Sequence, residues 1–341
     1  MSAGADAGYP RSMPRDDIRL HVVSGKGGTG KTTVAAALAL ALATKGKRTL
    51  LVEVEGRQGI AQLFDVPPLP HDERKVAVAP GGGEVFALAI DTEEALLDYL
   101  DMFYNMRRAG SMLRTMGAVE FATTIAPGLR DVLLTGKFCE ATKRTEKGQY
   151  VYDAVVVDAP PTGRVTRFLN VNREVSGIAK VGPIRTQADS VMRVLNSAQT
   201  AVHLVTVLEE MPVQETIDGV QALREGNLPM GHIIVNMSRT PLLDSAALEE
   251  AADGTLDRSQ IAADLKAAGV VGRRGASTTV VVEALVDEAR DHAERVTLEE
   301  GKLVRLEPLE LPVAQLPLLD DGIDLAGLYS LAQSLRVQGL A

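Results

Sequence analysis

Residues 24–33 read SGKGGTGKTT, a run of four glycines, two lysines and three threonines. They follow one apolar stretch, 18–23, and precede another, VAAALALALA at 34–43. The segment from Gly25 to Thr32 satisfies G-x-x-x-x-G-K-[ST], in the strand-then-helix setting this pattern needs to hold phosphate. Gly25, Gly27, Gly28 and Gly30 let the backbone bend so that successive N–H groups, Thr29's among them, converge on an anion. The helix that begins near Lys31 adds its positive end. Lys31 is placed to bridge two phosphate groups and Thr32 to give its hydroxyl to Mg2+, with Thr33 completing the run. A second group lies at VVVDAPPTG, 155–163, where Asp158 closes an apolar stretch. An aspartate there is the expected partner of Mg2+ through a water. The loop after it, Pro160 to Gly163, would sense a terminal phosphate. Asn236 ends a further stretch, HIIVN. Its amide offers one donor and one acceptor, which match adenine's exocyclic amine and adjacent ring nitrogen.

Positioning these residues takes a sheet. Near-continuous Val/Ile/Leu runs at 18–23, 48–54, 85–90, 152–158, 200–207 and 232–236 predict strands buried on both faces, and 302–308 predicts one more. Helical stretches at 93–108, 109–115, 187–197, 212–225, 243–252, 280–300 and 325–340 lie between or after them. The expected fold is α/β: a doubly wound, mostly parallel sheet of seven or eight strands. It occupies 18–341 as one domain, with helical insertions near 92–150 and 164–200 and a disordered tail at 1–17. Residues 238–277 are polar and poorly periodic, which suggests an insertion or a flap.

Composition narrows the function. Hydrophobic residues make up 45% of the chain, enough for a packed core. A net charge of -9 weighs against nucleic acid or an anionic membrane as the main partner. One cysteine, Cys139, allows no internal disulfide, thiolate metal site or iron–sulfur cluster, and fits a reducing, cytoplasmic setting. The N-terminal residues have no apolar core of a signal peptide, and the run at 34–43 is too short to cross a bilayer. No stable membrane insertion is expected.

The form K-G-G-x-G-K-[ST], with its extra lysine at Lys26, resembles the deviant phosphate loop of dimeric nucleotidases. Together with D-A-P-P-T-G-R-V-T-R-F-L from Asp158, it resembles the family of arsenite-pump and tail-anchored-protein-targeting ATPases. The likeness spans 18–335. It implies ATP and Mg2+ as cofactors, and a dimer in which Lys26 reaches the phosphates held by the neighbouring subunit. It also implies Asn236 as the adenine reader, with Pro317 and Leu318 packed on the base. In LLVEVEGRQGIAQLF, 50–64, the family pattern is L-L-x-S-T-D-P-A-H-N-L. Glu55 falls on the aspartate that orients the attacking water, near Thr32 and Asp158 at the metal. Gly56 replaces a proline, and Gln58 replaces a histidine and is placed to assist. VEVEGRQGIAQLFD resembles one member of the paired actinobacterial proteins of this family. The partner is accordingly a second copy or a paralogous ATPase.

Relatives use a helical insertion for cargo. Arsenite needs soft sulfur ligands, and Cys139 alone cannot supply them. Segment 99–121 spaces Met102 with Met106 and Met112 with Met116 four apart, as an apolar groove or ordinary core would. Residues 123–138 resemble the family's coupling stretch, with Asp131 in its acidic place. Helix 325–340 is too weakly basic for a membrane-targeting helix and is expected to pack on the sheet. The leading expectation is a dimeric ATPase whose nucleotide state governs an unidentified protein or small-molecule cargo. The alternatives are an ATP-holding regulatory subunit with little turnover, and a partitioning-type ATPase.

Overall fold

The computed structural model describes residues 18–91, 93–95, 97, 127–178, 183–270, 277–319 and 322–341. The expected tail 1–17 and the whole of the methionine-bearing segment 99–121 lie outside them. Among the described residues eight strands form one sheet in the order β10-β9-β8-β1-β7-β2-β4-β3. These are β1 (Leu20–Gly25), β2 (Arg48–Glu53), β3 (Arg74–Val78), β4 (Glu84–Ala89), β7 (Ala154–Asp158), β8 (Thr200–Thr206), β9 (Met230–Ser238) and β10 (Val313–Pro317). A small hairpin, β5 (Thr145–Glu146) and β6 (Gln149–Tyr150), stands apart. Every pairing in the large sheet is parallel except β3 with β4.

The apolar runs are continuous because alternate residues serve two cores. Leu50 and Val52 of β2 face one cluster, with Val22, Val157 and Leu204; Leu51 faces the other, with Val23, Val156 and Val205. The first cluster is covered by α3 (Pro127–Lys143), α4 (Thr162–Ile178), α5 (Pro183–Leu195) and α6 (Glu210–Glu225). The second is covered by α1 (Lys31–Leu42) and α10 (Leu325–Val337), with the short α2 (Gly59–Leu63) beside them. Residues 34–41 of α1 are buried all round, since the sheet lies on one side and Leu328, Leu331 and Leu335 of α10 on the other. Burying each leucine of that contact is worth about 2 kcal/mol by transfer. This fixes the helix whose N-terminus carries the phosphate loop.

One expectation needs correction. Residues 302–308 form no strand: α9 (Thr278–Val304) runs through, and a 3-10 turn, Glu307–Leu309, follows. Helical spacing puts Lys302 and Arg305 on the same acceptor, Glu210 of α6, where strand alternation would send them to opposite faces. The eighth strand is β10 instead, an edge strand with Ala314 and Leu316 inward. Segment 238–277, expected as an insertion or flap, holds α7 (Ser245–Asp253) and α8 (Arg258–Ala267) within its described part. Asp244 caps the first, and Asp257 caps the second through Ser259 and Gln260.

Three histidines stack within the sheet. The His21 and His203 rings lie 5.4 Å apart, and those of His203 and His232 5.7 Å apart. The His232 backbone N–H donates to His203 Nδ1, at 3.1 Å. His203 therefore carries its proton on Nε2 and donates to His21 Nδ1, also 3.1 Å away. A proton added to that nitrogen would set N–H against N–H. Burial pushes His21 down to about 4 and His203 well below its usual range. The unfolded chain then binds more protons than the folded one below pH 6.5, and stability is lost as pH falls toward 4. From pH 7 to 5, His21 alone accounts for about 2 kcal/mol. Asp158, raised to about 6, works in the opposite direction. In an Asp158→Asn background the urea midpoint is expected to be clearly lower at pH 5 than at pH 7. An unchanged or rising midpoint would show that the trio accepts protons without strain.

Candidate functional site

The parallel strands end on one edge, and the phosphate loop leaves it from β1. A Cβ on Gly25 would stand 2.2 Å from the Val205 carbonyl oxygen, so only glycine lets β1 run this close to β8. The loop closes on itself, since the Thr29 hydroxyl donates to the Lys26 carbonyl at 2.9 Å. Gly30 enters α1 at φ 80, in the left-handed region, and a Cβ there would meet Asn236 Nδ2 at 2.3 Å. That approach has a purpose: Asn236, at the end of β9, donates through Nδ2 to the Thr29 carbonyl at 2.9 Å. The cradle is thus shaped from outside as well as within. Ser24 donates to the Pro160 carbonyl at 2.6 Å, tying the loop after β7 to the end of β1.

Thr32, in the first turn of α1, donates to Asp158 Oδ2 at 2.6 Å. Asp158 Oδ1 is buried and has no hydrogen-bond partner. Burial raises the Asp158 carboxyl to about 6; Thr32 and Lys31 pull it back, while Glu53 and Glu55 push it further up. A buried, unpartnered carboxylate oxygen beside a threonine hydroxyl and a helix N-terminus fits a hydrated divalent cation between protein and phosphate. Among the described residues no group of three or more His, Cys, Asp or Glu side chains could cage a bare ion. Magnesium held chiefly by waters and phosphate needs no such cage. Lys31 and Thr33 are half-buried at the start of α1.

Lys26 extends to Glu215 of α6, with Nζ 2.7 Å from its carboxylate. Glu55 stands on the loop after β2, 3.5 Å from Arg57, and its charge is felt at Asp158. Gln58 is directed elsewhere. Its Oε1 accepts from the Leu69 N–H at 2.7 Å, and its Nε2 donates to the Leu69 carbonyl at 3.3 Å. Pro317 ends β10 opposite Ser238, and the Leu318 N–H donates to the Ser238 carbonyl at 2.9 Å. Asn236, within β9, and Leu318, just past β10, therefore lie on adjacent strands. A cavity of about 730 Å³ opens beside Leu318, walled by Leu243, Leu256, Leu285, His292 and Arg239. Asp131 of α3 pairs at 3.1 Å with Arg164, in the first turn of α4. That contact joins α3 to the helix that follows Asp158.

Sequence reasoning missed two charged residues here. Glu53 is buried at the end of β2 and lies in register with Asp158. Its signal was a lone acid in the strand RTLLVE. Glu215 had no local signal, because only the packing of α6 brings it to Lys26.

A glycine-rich loop between the first strand and its helix, in a doubly wound and mostly parallel sheet, places the chain among the P-loop nucleotide-binding proteins. Residues 18–198 match the family model described as Anion-transporting ATPase, and the chain belongs to that family. It is 52% identical over 340 residues to ATPase BagA of Mycobacterium tuberculosis, covering 99% of this chain and 98% of that one. ATPase GET3 of Kluyveromyces lactis is 31% identical over 197 residues, 55% of each chain. An arsenical pump-driving ATPase of Acidiphilium multivorum is 27% identical over 232 residues, 62% of this chain and 38% of that one.

Proposed function

We propose that this chain binds and hydrolyses Mg-ATP as one half of a dimer, and that its nucleotide state sets the shape of the dimer and its hold on a partner or cargo. The observation that carries this reading is the Thr32–Asp158 contact, with Asp158 Oδ1 left over beside the cradle. Backbone N–H groups of residues 27–31 bind the phosphates, and Lys31 bridges the two that will separate. Thr32 and, through water, Asp158 would hold Mg2+, with Glu55 behind them, and the ion would supply positive charge to the phosphate oxygens. Glu55 orients the attacking water, and Asn236 reads the base with Pro317 and Leu318 against its face. The other half of the dimer is a second copy or a paralogous ATPase. Lys26 leaves Glu215 to reach that subunit's phosphates.

Arsenite is not the cargo in this reading, because Cys139 is the sole thiol and is buried. Burial also drives its pKa far above the usual thiol range, so a thiolate ligand is unavailable. No helix among the described residues is long and apolar enough to cross a membrane. The site of action proposed is the cytoplasm.

The test is ATP turnover of the purified chain, alone and with its paralogue, beside sedimentation with a non-hydrolysable ATP analogue. Turnover and nucleotide-dependent association are expected, and a monomer in every nucleotide state would remove the dimer. Glu55→Gln is expected to keep ATP binding and lower turnover at least about 100-fold, the scale of a positioned acid–base group. An unchanged rate would move the water-orienting role elsewhere. A second reading, an ATP-holding regulatory subunit, draws support from Gln58, whose amide is taken up at both ends by Leu69. It predicts tight binding with negligible turnover, even beside the paralogue.

A further inference from the structure

Glu53 is 2% exposed at the carboxyl end of a central strand. A glutamate there is costly unless both oxygens are satisfied. They are, and by one short segment: Oε1 accepts the Gln58 N–H at 2.5 Å, and Oε2 accepts the Ile60 N–H at 3.2 Å. The carboxylate reaches past the four residues 54–57 and fastens the chain on their far side. At the crest of that arch stands Glu55. Gly56 turns the arch at φ 66, and Gln58 is held at φ 57, a conformation that a non-glycine residue keeps only when it is braced. Gln58 is the N-cap of α2 and makes no side-chain cap bond, so Glu53 also supplies the missing acceptor at that helix start. The second brace on the arch is the Gln58–Leu69 pair. Among the described residues Glu55 itself has one ion pair, with the exposed Arg57 at 3.5 Å.

We infer that Glu53 is the positioning residue of the hydrolytic loop: its buried carboxylate staples the backbone at Gln58 and Ile60 and thereby fixes Glu55 over the phosphate site. The inference rests on the proposed role of Glu55. Both oxygens of Glu53 are taken up by the loop that carries Glu55, and its charge is also felt at Asp158. Its carboxylate is needed, because glutamine offers one acceptor oxygen and would turn an NH2 group toward one of the two backbone N–H groups.

The test is Glu53→Gln, alone and combined with Glu55→Gln, read by amide hydrogen exchange of nucleotide-free protein and by steady-state kinetics. In the unaltered chain the Gln58 and Ile60 amides are expected to exchange slowly. In Glu53→Gln one of them should exchange at least about 10-fold faster. With ATP, kcat should fall about 10- to 100-fold, with KM within about twofold. In the Glu55→Gln background the same change should cost under about threefold more, since the loop then has no acid to aim. Losses that multiply in the double variant, or a raised KM with kcat intact, would overturn the assignment. So would rapid exchange of both amides in the unaltered chain, a measurement that needs no variant to fold. If the unaltered chain lacks turnover even with its paralogue, the proposed hydrolysis fails, and the exchange data still decide whether the staple exists.

Discussion

Lys31→Ala is expected to abolish measurable nucleotide binding, with Kd raised at least about 100-fold by calorimetry. Lys31 sits at the first turn of α1, where the backbone cradle and the helix dipole already favour an anion. What the backbone cannot supply is a full positive charge that moves with the phosphates. Two charge-assisted hydrogen bonds at about 1.5–3 kcal/mol each account for a loss of this size. The substitution should not harm the fold, because alanine favours helix and residues 34–41 supply the buried face. Retained affinity with normal stability would mean that the cradle and Mg2+ hold the nucleotide without the lysine.

Lys26→Ala is expected to separate binding from turnover. Affinity for ATP should stay within about threefold, while the rate falls about 1,000-fold, the lower range for a charge delivered across an interface in phosphoryl transfer. The structure supplies the reason that binding survives. Lys26 points at Glu215 of its own chain, so its charge is already balanced without nucleotide. The pair is partly exposed and worth under about 1 kcal/mol, so its loss should hardly alter stability. Steady-state turnover beside equilibrium binding, at protein concentrations that span dimer formation, makes the measurement. A rate within a few-fold of the unaltered chain would remove the cross-subunit role.

Much of the architecture was legible because burial on both faces leaves a continuous apolar record. Strands β1, β2, β4, β7, β8 and β9 all show it. Strand β3, RKVAV, left no such record, since it pairs on one side only and its residues are half-exposed or exposed. Strand β10 was masked by Pro312 before it and Pro317 at its end. Residues 302–308 misled because LVRL can be read with period two, although Leu303 and Leu306 meet the core three residues apart, as a helix does. In the site, Gly25 to Thr32 are contiguous and Asp158 and Asn236 end apolar runs, so all could be named from sequence. The assignment of Gln58 to Leu69 could not, because an amide's partner eleven residues away depends on how the chain turns between them. Glu53 and Glu215 were hidden for the same reason, since their partners are set by packing.

Helix α6 carries two acids five positions apart: Glu215 holds Lys26, and Glu210 holds Lys302 and Arg305 at the end of α9. Helix α9 has 27 residues, which makes it a rod about 40 Å long. A pivot of about five degrees at its Lys302 end would sweep its Thr278 end through about 3 Å, from that length alone. Two ion pairs on α6 thus link the phosphate loop to one end of a rod whose other end lies about 36 Å along its axis.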